Sequence, residues 1–160
     1  MQLELRAPTP EDTRAVGAAL GPMLRAGDGV ALTGDLGAGK TTFVSGVARG
    51  VGYDGAVASP TFTLVREYRA ERAHLLHVDV YRLDRVQDVA DLGLQDQLDD
   101  GAILLVEWGD AVESLLPEDH LVITFTAGPD ETRTISVRGV GDAWAARWER
   151  LEYDLERWTA

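Results

Sequence analysis

The apolar positions change period repeatedly along the chain. Leu3 and Leu5 alternate with polar neighbours, which predicts a short first strand. Thr9-Pro10-Glu11-Asp12 reads as a helix start: a hydroxyl to cap free N–H groups, a proline where no donor is needed, and acids against the positive helix end. That helix is predicted to run to about Arg25 and stop at Gly27. Val30–Thr33 is a short apolar strand, a glycine-rich loop follows, and a helix spans Lys40 to about Gly50, with Gly50 and Gly52 marking its end. Residues 61–82 read as two strands joined by a charged turn near Ala70–Ala73. In the first, Phe62, Leu64, Arg66 and Tyr68 alternate with Thr63, Val65, Glu67 and Arg69. In the second, Leu75, His77, Asp79 and Tyr81 share one face and Leu76, Val78 and Val80 the other.

Residues 86–99 read as short helical pieces broken at Gly93. Ala102–Val106 is a continuous apolar run, which fits a strand buried on both faces of an α/β sheet, and it ends in Glu107-Trp108-Gly109. Strands at His120–Ala127 and Thr132–Arg138 flank a turn at Gly128-Pro129-Asp130. In the tail, Trp144, Trp148, Leu151, Leu155 and Trp158 make one apolar helical stripe, an amphipathic helix at about 143–158. Packing on the body is the simplest role for that stripe, and docking of a partner is the alternative.

The length of 160 residues suits a single domain, 1–160. With 45% hydrophobic and 26% charged residues the composition is that of an ordinary globular chain able to form a core. No apolar run approaches the roughly 20 residues of a membrane span, and no signal peptide is visible. Without cysteine, disulfides and thiolate chemistry are excluded, and a cytoplasmic location fits. A net charge of −12 disfavours tight, general binding to nucleic-acid backbones. The basic residues Arg66, Arg69, Arg72, Arg82 and Arg85 read as a solvated hairpin face, with a local partner or RNA contact as the alternative.

Fourteen arginines stand against one lysine, Lys40, and that lysine sits where a compact ammonium suits a phosphate. Gly34-Asp35-Leu36-Gly37-Ala38-Gly39-Lys40-Thr41 fits the pattern G-x-x-x-x-G-K-[ST] between an apolar strand and a helix. Glycines let the backbone curl so that its N–H groups face phosphate oxygens. Lys40 reaches the β- and γ-phosphates, the Thr41 hydroxyl takes a magnesium position, and the helix adds its positive end. Glu107, ending a buried strand, occupies the place where such proteins carry a magnesium-side acid, there normally aspartate. His77, Asp79 and Tyr81 leave two readings open: the exposed face of an edge strand, or a polar wall in which Asp79 orients or deprotonates water. Thr61 in Ser59-Pro60-Thr61-Phe62 is either an ordinary strand entry or a switch-like contact to the γ-phosphate.

Taken together, Gly34–Thr42 (GDLGAGKTT), Ser59–Phe62 (SPTF), His77–Arg82 (HVDVYR), Asp91-Leu92-Gly93-Leu94 and Glu107-Trp108 resemble the TsaE (YjeE) family of bacterial P-loop ATPases. The resemblance covers about residues 10–125 and does not extend into 128–160. It implies an α/β P-loop fold of three layers, a mixed central sheet with helices on both faces. It implies ATP and Mg2+ as cofactors, with Thr41 and Glu107 as metal ligands, Lys40 on the phosphates and Thr42 in the same loop. It makes Thr61 switch-like, gives Asp79 a water-orienting role and places Trp108 beside the nucleotide. It further implies a weak ATPase that supports threonylcarbamoylation of the adenosine next to the anticodon, working with TsaD and TsaB, so that tRNA is met only through that complex. A small nucleotide or metabolite kinase and a non-catalytic ATP-dependent adaptor are the competing readings, since each also needs this loop.

Overall fold

A computed structural model describes residues 1–35, 37–60, 65–79, 93–107, 113 and 116–160. Among these, the strands are β1 (Gln2–Ala7), β2 (Gly29–Gly34), β3 (Val65–Arg69), β4 (His74–Asp79), β5 (Ile103–Glu107), β6 (His120–Ala127) and β7 (Arg133–Val140). They form one sheet in the order β1-β7-β6-β2-β5-β4-β3. β4, β5, β2 and β6 run parallel, and antiparallel pairs close both sides, β3 on β4 and β7 with β1 on β6. The helices are α1 (Pro10–Leu20), α2 (Lys40–Gly50), α3 (Leu94–Asp99) and α4 (Asp142–Asp154). Apolar residues of α1, α2 and α4 share one core with Val30, Leu32, Leu105 and Ile123 of the sheet. Leu94 and Leu98 of α3 pack with Leu76, Val78, Leu104 and Val106 on the opposite face. This is the expected three-layer arrangement. Among the described residues no helix is long and apolar enough to cross a membrane.

Local signals account for most of these boundaries. The Thr9 hydroxyl accepts the Asp12 N–H at 3.2 Å and so caps α1, with Pro10 in its first turn. The helix ends at Leu20, short of the Arg25 expected from pattern alone. Gly21-Pro22-Met23 continues only as a 3-10 turn, because the Pro22 nitrogen has no hydrogen to continue the α ladder. All five residues of β5 are buried, as its unbroken apolar run requires. The turn between β3 and β4 closes with an Ala70 N–H to Ala73 carbonyl bond of 2.9 Å.

One open reading is settled here. β4 is an interior strand flanked by β3 and β5, so His77 and Asp79 do not face solvent: they are 0% and 5% exposed. The edge position falls to β3, where Arg66 and Arg69 are exposed and Tyr68 is buried. The predicted strand residues 61–64, Val80 and Tyr81, and the pieces at 86–92, lie outside the described residues, as do Arg82 and Arg85.

Two features hold the layer above β2. The backbones of α1 and α2 touch through glycines: a Cβ on Gly46 would lie 2.0 Å from the Arg14 carbonyl oxygen, and one on Gly17 would lie 2.3 Å from that of Phe43. In α4, Trp144, Trp148 and Leu151 are buried, as are Leu155 and Trp158 just beyond it, so the tail stripe packs on the body. Its residue Arg147 forms a buried pair with Asp28 at 2.8 and 3.1 Å, donates to the Met23 carbonyl at 3.0 Å and lies 3.7 Å over the Trp144 ring. The helix ends at Asp154, and a 3-10 turn at Glu156–Trp158 carries Trp158 to Asp12 of α1.

The glycine seam makes a direct prediction. Gly46→Ala should destabilise the fold by about 1–3 kcal/mol or more in urea unfolding, because backbone rather than a flexible side chain blocks the new methyl. Gly128→Ala, whose Cβ would meet the Thr132 carbonyl oxygen at 3.4 Å, should stay within about 0.5 kcal/mol of wild type.

Candidate nucleotide site

Parallel pairing brings the C-terminal ends of β2, β5 and β4 side by side. Leu32 of β2 is registered with Glu107 of β5, and Glu107 with Asp79 of β4. The open ends of parallel strands are where α/β sheets bind ligands. β2 runs out at Gly34, whose φ of +136 and whose close approach to Phe125, 2.6 Å from an added Cβ to the carbonyl oxygen, leave room only for glycine. The loop then turns through Gly37 at φ +79 and Gly39 at φ +106 into α2. Left-handed glycines of this kind turn successive N–H groups to one side, and the first N–H groups of α2 have no partner within the helix. Among the described residues other than its chain neighbours, nothing lies within 4 Å of a Cβ built on Gly37.

Lys40 begins α2 and folds back so that its ammonium donates to the Gly34 carbonyl at 2.6 Å. It is 4% exposed. Burial pulls its pKa below the usual lysine value, while the carboxylates of Glu107, Asp79 and Asp35 oppose the shift and favour the charged form. Glu107 and Asp79 are each 5% exposed. His77 Nε2 stands 3.0 Å from Glu107 Oε2. An ionised carboxylate only accepts, so Nε2 carries the hydrogen. Thr41 and Thr42 are half-buried in the first turn of α2, and Asp35 is exposed. Leu36, Thr61 and Trp108 lie outside the described residues. Upstream of Thr61, Ala58 is held by the buried Tyr68 hydroxyl, which donates to its carbonyl at 3.1 Å and accepts its N–H at 3.2 Å. The Tyr68 pKa is raised, chiefly by burial.

These groups fit a magnesium nucleotide. A buried ammonium and a curled glycine loop at a helix N-terminus suit phosphate, and a threonine hydroxyl with one carboxylate suits a cation that keeps most of its ligands as water and phosphate. Among the described residues no three His, Cys, Asp or Glu side chains gather into a metal cage of their own. Any divalent ion here would therefore depend on the phosphates it accompanies.

Two contributors were not visible in sequence. Arg133, at the start of β7, braces the outer side of the loop: Nε donates to the Ala38 carbonyl at 3.1 Å and a terminal nitrogen to the Gly37 carbonyl at 3.4 Å. Both bonds tie the loop's carbonyls to β7. Thr13 of α1 is 1% exposed and its hydroxyl has no partner. It lines a cleft of about 80 Å³ behind the loop with Gly37, Gly39, Thr42 and Arg133. No local motif marks either residue, since each acts through a contact distant in sequence. Beyond β5, Glu113 accepts from His120 of β6 at 2.9 Å and from Arg138 of β7 at 3.2 Å.

Arg133→Ala should weaken ATP binding about tenfold in calorimetry, the scale expected when hydrogen bonds from a charged group are lost. Glu113 supplies a pH test. Its hydrogen bond from His120, then that from Arg138, hold its carboxyl below the ordinary value. A depressed folded-state pKa adds stability above the unfolded carboxyl pKa of about 4.3 and loses it as pH falls through the folded value. Glu113→Gln should therefore melt below wild type at pH 7, and the gap should close in acid.

The family model described as Threonylcarbamoyl adenosine biosynthesis protein TsaE matches residues 7–135. A Bacillus subtilis relative named tRNA threonylcarbamoyladenosine biosynthesis protein TsaE is 39% identical over 156 residues, covering 98% of this chain and 95% of the relative. A Streptomyces coelicolor protein of the same name is 41% identical over 139 residues, covering 82% and 93%. The crystal structure of Bacillus subtilis YdiB superimposes with a TM-score of 0.79 at 36% identity, covering 98% of this chain and 95% of that one. The matched range of 7–135 spans the phosphate loop and the ends of β4 and β5, and on this similarity of sequence and fold the chain belongs to the TsaE family.

Proposed function

We propose that this protein binds ATP with Mg2+ at Gly34–Thr41 and hydrolyses it slowly, in the cytoplasm, in support of threonylcarbamoylation of the adenosine next to the tRNA anticodon. The observation that carries the nucleotide part is the buried Lys40 ammonium, on the Gly34 carbonyl with the Glu107 and Asp79 carboxylates among its charge partners. The biosynthetic part rests on the names of the relatives. Partnership with TsaD and TsaB belongs to the same proposal: those proteins carry the transfer chemistry and hold the tRNA.

In this reading Lys40 gives up part of its contact with Gly34 to meet the β- and γ-phosphates. The Thr41 hydroxyl and the Glu107 carboxylate would hold Mg2+, which when bound would neutralise charge on the phosphates. Asp79, beside Glu107 in register, orients water for in-line attack. The loop N–H groups take up charge that develops on the phosphate oxygens. The family resemblance gives Thr61 a switch-like contact to the γ-phosphate and Trp108 a place beside the nucleotide. A partner that completes the arrangement would account for slow turnover by the isolated chain.

Steady-state phosphate release from MgATP tests this, measured alone and with purified TsaD–TsaB. Partners should raise the rate severalfold. Glu107→Ala should lower it about 100-fold or more, the scale for losing one electrostatic contributor to the transition state. Lys40→Ala should abolish tight nucleotide binding. Phosphate found on an added metabolite rather than in water would replace this reading with a kinase. A Glu107→Ala protein that binds ATP without hydrolysing it, yet sustains tRNA modification, would make it an adaptor.

A further inference from the structure

We propose that His77 is the positioning residue for Glu107: it holds one carboxylate oxygen so that the other is presented to a divalent cation. The inference rests on the nucleotide reading above.

His77 is wholly buried, and among the described residues its ring makes one hydrogen bond, from Nε2 to Glu107 Oε2 at 3.0 Å. Nδ1 is buried with no hydrogen-bond partner among the described residues. A histidine kept only to fill the core is a poor choice at such a place, because buried polar atoms are normally paired and an orphaned one costs stability. An apolar side chain would fill the same space without that cost. What it would not supply is a donor aimed at Glu107. The registration makes the donor directional. His77 is registered with Leu105, and Asp79 with Glu107, so the bond runs diagonally from β4 to the end of β5. Lys40 acts on Glu107 from the phosphate loop. The carboxylate thus has a hydrogen-bond donor on β4 and the charge of an ammonium from the start of α2. Ligand carboxylates are held by outer hydrogen bonds in this manner, and loss of such partners typically costs about 10–100-fold in metal affinity.

The test measures binding, not turnover. Calorimetry with a non-hydrolysable ATP analogue, with and without MgCl2, gives for each protein the factor by which magnesium tightens binding. In His77→Leu that factor should fall about 10–100-fold, while metal-free affinity holds. His77→Gln, whose amide offers a donor near the same point, should restore it to within a few-fold. In the free wild-type protein, the ¹⁵N shifts of the His77 ring should report hydrogen on Nε2 and none on Nδ1. A wild-type magnesium factor in His77→Leu overturns the proposal. So does a uniform loss of affinity with and without metal that follows a fall in the thermal midpoint, which would mark His77 as structural. If His77→Leu does not fold, the tautomer decides, and a ring with bare Nε2 overturns it. Wild-type protein whose nucleotide binding ignores magnesium would instead remove the nucleotide reading beneath the proposal, before any variant is made.

Discussion

An ammonium group withdrawn from water must be surrounded by oxygen, and the middle of this molecule is arranged to do that for Lys40. The Gly34 carbonyl supplies a direct bond, and Glu107, Asp79 and Asp35 supply compensating negative charge. Desolvation and those carboxylates pull in opposite directions, which keeps a cation in a place that favours losing it. The surroundings therefore have to be rigid. A carboxylate displaced by a strand slipping one residue would point to the other face of the sheet, and Lys40 would lose its charge partner.

That rigidity comes from two directions. From below, the parallel pairings of β2, β5 and β4 set Glu107 and Asp79 at one level, and both faces of β5 are buried, so the register cannot drift without exposing apolar surface. From above, α2 is seated by backbone-to-backbone contact with α1 through Gly17 and Gly46. The start of α2, where Lys40 and Thr41 sit, inherits the position of α1. Arg133 adds a third hold on the loop itself. The C-terminal helix secures the approach to β2, since Arg147 grips Asp28 one residue before the strand begins.

The local grammar of the chain was readable from sequence. The cap at Thr9, the strand at Val30–Thr33, the helix from Lys40 to Gly50, the doubly buried run ending at Glu107 and the tail stripe all rest on short-range patterns, and each appears where its pattern put it. The end of α1 was misjudged because Pro22 outweighs the apolar spacing beyond it. What sequence left open depends on which strands become neighbours. Alternation alone could not say whether β4 lies inside the sheet or at its edge, since polar side chains facing solvent and polar side chains facing a site have the same period. The His77–Glu107 bond and the reach of Arg133 to Gly37 and Ala38 are products of topology. Leu36, Thr61 and Trp108 fall outside the described residues, so their part in the site rests on the family pattern.

The two ends of the chain meet at one edge of the sheet. β1 finds its partner in β7, with Leu5 registered to Ile135, and Thr159 bridges back to Leu5 while the Ala160 N–H reaches the Glu4 carbonyl. During synthesis the first strand therefore emerges long before the residues that pair with it. It has to wait, unpaired, while the phosphate loop and the parallel centre are made, and this edge of the sheet can close only when residues 133–140 have left the ribosome. Because β1 pairs with β7, that edge can be closed only after residues 133–140 are made, so a copy ended before them would carry the phosphate loop with β1 still open.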